Sequence, residues 1–215
     1  MKDLTRRPTP VDFAAHLGAV TRTVGELTRD GKPARNVTLA RTYDTTPTDL
    51  WSAITDPDRL PRWFVPVSGE LKLGGRFQLK ENAAGTIVDC DPPRFLSTTW
   101  ECGNKLSWLE ISIHQEADGA ALTLSHICPI DDHWRKYGPA AVGIGWDLSL
   151  LGLGLHLSRP DDDRFDEEAF AATAEGKATL VGLSESWRDA AIASGDEPTL
   201  AEQAARMTAA FYSGS

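Results

Sequence analysis

The segment from Pro139 to Leu157 constrains this chain more than any other. It is apolar over roughly the length needed to cross a bilayer, yet it holds Asp147 at its centre and Gly143, Gly145, Gly152 and Gly154 along it. A carboxylate at mid-span is expensive in lipid, so the segment reads as a helix buried inside a globular fold, and no membrane span is expected. Its apolar residues fall into two stripes at helical spacing: Val142, Trp146, Leu150, Leu153 and Leu157 on one side, Ile144, Leu148, Leu151 and Leu155 on the other. A helix apolar on two sides must be covered on two sides. A sheet can cover one; the tail of the chain, or a second copy in a homodimer, must cover the other.

The sheet is legible upstream. Residues 17–43 are rich in β-branched side chains around Asp30-Gly31, a hairpin signal that predicts strands over about 17–27 and 35–43. Thr46-Pro47 and Asp56-Pro57 each pair an N-cap with a proline at the first helical position, predicting short helices over 47–54 and 57–63. From Val67 to Cys128 short alternating runs are separated by turn residues, the pattern of an antiparallel meander. Leu109, Ile111 and Ile113 alternate with Glu110, Ser112 and His114, and Leu122, Leu124 and His126 share one face.

Downstream, the acidic run Asp161 to Asp163 with Asp166, Glu167 and Glu168 reads as a solvated linker and helix start; it lacks the alternating ligands and glycine of a calcium loop. Leu180, Leu183 and Trp187 then lie on one helical face. Thr199 and Glu202 have capping-box spacing ahead of Leu200, Ala204, Met207 and Phe211. The expected organisation is one domain over residues 1–158 and a helical extension over 159–215. The extension should pack through Leu180, Leu183, Trp187, Met207 and Phe211 on the same domain or on a partner subunit.

Composition excludes some functions. With 22 Lys and Arg against 31 Asp and Glu the net charge is −9, and no basic cluster is longer than Arg6–Arg7, so a nucleic-acid backbone would meet an adverse field. Cys90, Cys102 and Cys128 are odd in number and form no C-x-x-C pair, which points to a reducing compartment. Met1 to Pro8 carries charge with no apolar run behind it, so no secretory signal is read and a cytoplasmic location is expected.

The order of elements, together with Leu50-Trp51, Asp56-Pro57, Trp63-Phe64, Leu73-Gly74-Gly75-Arg76-Phe77, Asp91-Pro92-Pro93-Arg94, Leu96, Trp100-Glu101, Trp108, Leu122 to His126 and Gly145-Trp146, resembles the activator of Hsp90 ATPase homologue 1-like family over about residues 35–157. That family lies within the START-like (SRPBCC) helix-grip superfamily. The resemblance implies an α+β helix-grip fold, a curved antiparallel sheet wrapped around a long C-terminal helix with a cavity between them. It leaves function open, because the superfamily includes lipid carriers, hormone receptors, polyketide cyclases and co-chaperone domains.

Seven tryptophans against three tyrosines make an aromatic cavity wall the natural expectation. The candidate ligand-binding residues are Trp51, Trp63, Phe77, Trp100, Trp108, His126, Trp134, Tyr137, Trp146 and Leu150, with the cavity bordered by Trp100, His126 and Trp146. His126, Asp147 and Tyr137 are the candidate acid–base residues. A lone inward histidine is more often a hydrogen-bonded core residue, and Asp147 is read either as one end of a helix-anchoring ion pair or as a cavity carboxylate with a raised pKa. His133 stands with Asp131 and Asp132, but no second His or Cys lies at ligand spacing, so no metal is expected. No nucleophile elbow and no Gly-rich loop ahead of a helix occurs, and no cofactor is implied. Three functions follow: a binding protein for a small hydrophobic or amphipathic ligand, a chaperone-linked interaction module, or a cyclase/aromatase-like enzyme.

Overall fold

The structure, a computed structural model, describes residues 11–213. The readings made on Met1 to Pro8, including Arg6–Arg7, lie outside these residues. Strands β1 (Thr21–Arg29) and β2 (Lys32–Tyr43) form the hairpin, turning at Asp30 and Gly31, both with positive φ. The first strand starts later than its β-branched residues suggest. Residues Phe13–Gly18 instead form a short helix, α1, whose first turn is capped by the Asp12 carboxylate accepting from Ala15 N.

After β2 the chain crosses to the far side of the sheet through α2 (Pro47–Thr55), capped by Thr46 as its sequence predicts. The second short helix shrinks to a single 3₁₀ turn, Leu60–Arg62. Pro61 lies inside it and cannot donate the backbone bond that a continuing α-helix needs.

Strands β3 (Val67–Gly69), β4 (Arg76–Leu79), β5 (Ala84–Asp91), β6 (Phe95–Cys102), β7 (Lys105–Glu116) and β8 (Gly119–Pro129) then meander back. The eight-stranded antiparallel sheet has the order β1-β2-β8-β7-β6-β5-β4-β3. Register sets the inner face: Val37 and Leu109 flank His126, and Leu39 and Ile111 flank Leu124. All of these are buried, as strict alternation requires.

A short helix, α3 (Asp132–Tyr137), leads into the long α4 (Ala140–Ser158). Among the described residues α4 alone is long and apolar enough to cross a membrane, and most of it is buried within the protein. Its first stripe faces the sheet. Its second stripe, Ile144, Leu148 and Leu151, joins one core cluster with Leu17 of α1 and with Phe170, Leu180, Leu183 and Trp187 of the following helices, α5 (Glu167–Ala172) and α6 (Ala174–Ala193). The acidic run supplies the cap of α5, since Asp166 accepts from Ala169 N.

The last helix, α7 (Pro198–Ser213), packs on α6 and α3 but not as its large residues suggest. Met207 is 38% exposed and Phe211 71%, whereas Ala201, Ala204, Ala205 and Thr208 are buried. Small side chains let the helix approach closely, and the Thr208 hydroxyl donates to Tyr137 O at 2.8 Å.

Candidate functional site

Two chambers lie between the inner face of the sheet and α4. The inner one has a volume of about 510 Å³ and is walled by β4 to β8, α2 and the start of the meander. Trp51, Trp63, Phe77, Trp100, Trp146 and Leu150 all line it. Trp63 and Phe77 are each held by a local cause. Trp63 donates from Nε1 to Ala53 O at 2.9 Å and stacks on Phe64 with ring centroids 5.4 Å apart. Phe77 sits where Gly85 leaves room, since a Cβ there would come within 2.8 Å of the ring.

The second chamber, of about 740 Å³, opens towards the β6–β7 turn and α3. His126, Trp134, Ser107, Lys105 and Asp131 lie in its wall, together with the bare backbone of Gly145. The chambers share Phe64, Trp100, Trp146 and Ser149, so a pair of indoles with centroids 5.2 Å apart stands between them. His126 thus borders the second chamber rather than the inner one.

A hydrogen-bond chain fixes this partition. Trp146 Nε1–H donates to His126 Nδ1 at 2.9 Å, which leaves the imidazole proton on Nε2 to be donated to Ser107 Oγ at 2.8 Å. Ser107 in turn donates to Trp100 O at 3.0 Å. Burial pushes the His126 pKa down to about 4. The ring is therefore neutral near pH 7 with both nitrogens engaged, and it orients Trp146.

The other acid–base candidates lie elsewhere. Asp147 lines neither chamber; it is wholly buried against the tail, accepting from Arg22 Nε at 2.9 Å and from Trp187 Nε1 at 2.9 Å. Burial raises its pKa, opposed by Arg22 and by the indole N–H. The ion-pair reading of this carboxylate is the one observed. Tyr137 also lines neither chamber. Its ring packs against His133 at 4.9 Å and Phe211 at 6.0 Å, because α3 turns it outward onto α7. Trp108 lies on the opposite face of β7 from Leu109 and Ile111, under the Arg29 guanidinium at 5.2 Å. Period-two alternation places it there.

His133 and its acidic neighbours form a helix start: Asp131 accepts from Trp134 N at 2.8 Å and pairs with Lys105 at 3.3 Å. Among the described residues no three His, Cys, Asp or Glu side chains are gathered as a metal site. Several wall residues escape sequence reading. Thr98 is one, although it shares the parity of Leu96 and Trp100 on β6; Phe64, Gly145 and Ser149 are others.

Comparison with known proteins agrees with this architecture. The activator of Hsp90 ATPase homolog 1-like protein family matches residues 44–157. The crystal structure of CalU16 from Micromonospora echinospora is similar at 32% identity and a TM-score of 0.68, covering 80% of this chain and 98% of that one. EF2215 from Enterococcus faecalis, a conserved protein of unknown function, is 17% identical with a TM-score of 0.58, covering 86% and 96% of the two chains. MLL2253 from Mesorhizobium loti is 20% identical with a TM-score of 0.53, over 59% and 99%. These last two show the fold alone. Comparison with curated proteins gives no match. A sheet gripping a long helix, the family's match from α2 through strands β3 to β8 and along that helix, and near-complete coverage of CalU16 together mean that this chain belongs to the activator of Hsp90 ATPase homolog 1-like protein family.

Proposed function

We propose that the protein binds a small hydrophobic or amphipathic ligand containing a ring system between its sheet and α4. One observation carries the reading: the aromatic side chains of the inner face leave a chamber of about 510 Å³ open between them. That volume falls in the range of small-molecule sites, ~300–1,000 Å³, and its wall is apolar with few polar groups, as such sites are. The second chamber, with Asp131, Lys105 and Ser107 in its wall, suits a polar end of the same ligand.

Titration with N-phenyl-1-naphthylamine, a neutral aromatic probe whose emission rises in apolar surroundings, tests the reading. Saturable binding is expected, with loss in Leu109→Trp, which drives an indole into the inner chamber. An absence of binding, or equal binding by a folded Leu109→Trp variant, would overturn it. Native mass spectrometry of the purified protein then identifies any molecule that travels with it.

A further inference from the structure

Three hydroxyl side chains line the inner chamber: Thr55, Thr98 and Ser149. Two are already used. Thr55 Oγ1 donates to Trp51 O at 2.7 Å, and Ser149 Oγ donates to Gly145 O at 2.8 Å, each a bond back along its own helix. Thr98 Oγ1 is buried and has no hydrogen-bond partner in the protein.

Thr98 is 4% exposed and lies at the centre of β6, opposite Ile87 on one side and Leu109 on the other, both of which also line the chamber. The alternation of β6 directs Leu96, Thr98 and Trp100 to the same face. A hydroxyl kept among such neighbours without a partner costs stability that a valine of the same shape would not. A ~120° rotation about χ1 carries Oγ1 to the position of Cγ2 and Cγ2 to that of Hβ, so the donor can turn into the chamber without any movement of the strand.

We infer that Thr98 is the polar anchor of the inner chamber and that the ligand's buried ring system carries a carbonyl oxygen that accepts from its hydroxyl. The inference rests on the binding reading above and narrows it to a ligand class, aromatic or polycyclic ketones and quinones. Transfer from water favours a hydrocarbon ring over the same ring bearing a carbonyl, so a preference for the ketone requires a donor inside the chamber. A site that offers such a donor discriminates against the analogue lacking the acceptor.

Fluorene and 9-fluorenone share one tricyclic skeleton and differ by that oxygen. Their affinities are measured by displacement of N-phenyl-1-naphthylamine from the full chain, from Thr98→Val and from Thr98→Ser. The wild type is expected to prefer fluorenone. Thr98→Val should weaken fluorenone roughly fivefold, the size of one net hydrogen bond, and leave fluorene unchanged; Thr98→Ser should keep the preference. The melting temperature of unliganded Thr98→Val should equal or exceed that of the wild type. A wild type that binds both probes equally, a preference that survives Thr98→Val, or failure of both probes to displace the naphthylamine would overturn the anchor while leaving the binding reading standing. A drop in the melting temperature of Thr98→Val would show that the hydroxyl serves the fold, and would also overturn it. Failure of the naphthylamine itself to bind overturns the reading beneath.

Discussion

Trp187 donates its indole N–H to the carboxylate of Asp147 at 2.9 Å, and the same carboxylate accepts from Arg22. One fully buried anion thereby ties three parts of the chain together: β1, the long helix and the first long helix of the tail.

The tie predicts an asymmetric response. Removing one member of a buried pair strands the other, so Asp147→Ala should cost about 3–5 kcal/mol in urea unfolding. Replacing both charges with apolar residues, Asp147→Leu with Arg22→Met, should recover much of that loss. A double variant as unstable as Asp147→Ala would show that the contribution is not electrostatic.

Two glycines a half-turn apart on α4 predict opposite outcomes. A Cβ on Gly143 would lie 2.1 Å from the Trp187 ring, whereas one on Gly145 meets nothing within 4 Å. Gly143→Ala should therefore destabilise by about 1–3 kcal/mol through overpacking against a rigid ring. Gly145→Ala should stabilise by up to about 1 kcal/mol through helix propensity. The larger Gly145→Leu should fold and fill part of the second chamber, weakening any ligand whose polar end reaches it. Thermal unfolding of the two alanine variants side by side checks the pair.

The fold was legible because its signals are local and repeated: the alternation of β7 and β8, the Thr46-Pro47 cap and the double stripe of α4 each state a period and a face. The same parity that turns His126 inward turns Trp108 outward, so the position of Trp108 was available from Leu109, Ile111 and Ile113. Tyr137 was not legible in this way, since a six-residue helix between a strand and a longer helix has no period long enough to fix its rotation. Nor was the packing of α7, where burial follows Ala201, Ala204, Ala205 and Thr208 rather than Met207 and Phe211. Close helix approach selects small residues, and a hydrophobicity pattern reads them as neutral. Thr98 was hidden for a related reason: its role depends on what Thr55 and Ser149 already bond, which only the assembled chamber reveals.

His126 gives the protein a pH dependence of known sign. Its pKa is about 4 in the folded protein against an ordinary value of 6.5. Above about pH 6.5 both folded and unfolded states hold it neutral, and its contribution is intact. As pH falls from there towards 4 the unfolded chain takes a proton that the fold refuses, so stability declines by about 3 kcal/mol in all. His16, His133 and His156 are also lowered, mainly by burial, and act in the same direction. The difference between wild type and His126→Gln isolates the buried ring: the variant should be less stable at pH 7 but show a shallower loss between pH 7 and 4.5. Parallel urea midpoints for the two proteins would contradict this assignment.

The tail decides whether α4 can stay folded alone. Phe170, Leu180, Leu183 and Trp187 are buried in the core cluster that contains Ile144, Leu148 and Leu151. Burying four such side chains contributes about 1.5–3 kcal/mol each before conformational entropy, a total comparable to the net stability of a whole domain at ~5–15 kcal/mol. Truncation after Arg159 removes that cover and also the Trp187 donor, leaving Asp147 with Arg22 at a newly wetted surface. Tyr212 is lost with it, and its hydroxyl donates to Ala141 O at 3.3 Å at the start of α4. The expected product is aggregated, or binds 1-anilinonaphthalene-8-sulfonate strongly at its exposed helix and melts without cooperativity. A monomeric truncated protein with the full-length melting temperature would show that the second stripe of α4 does not need the tail.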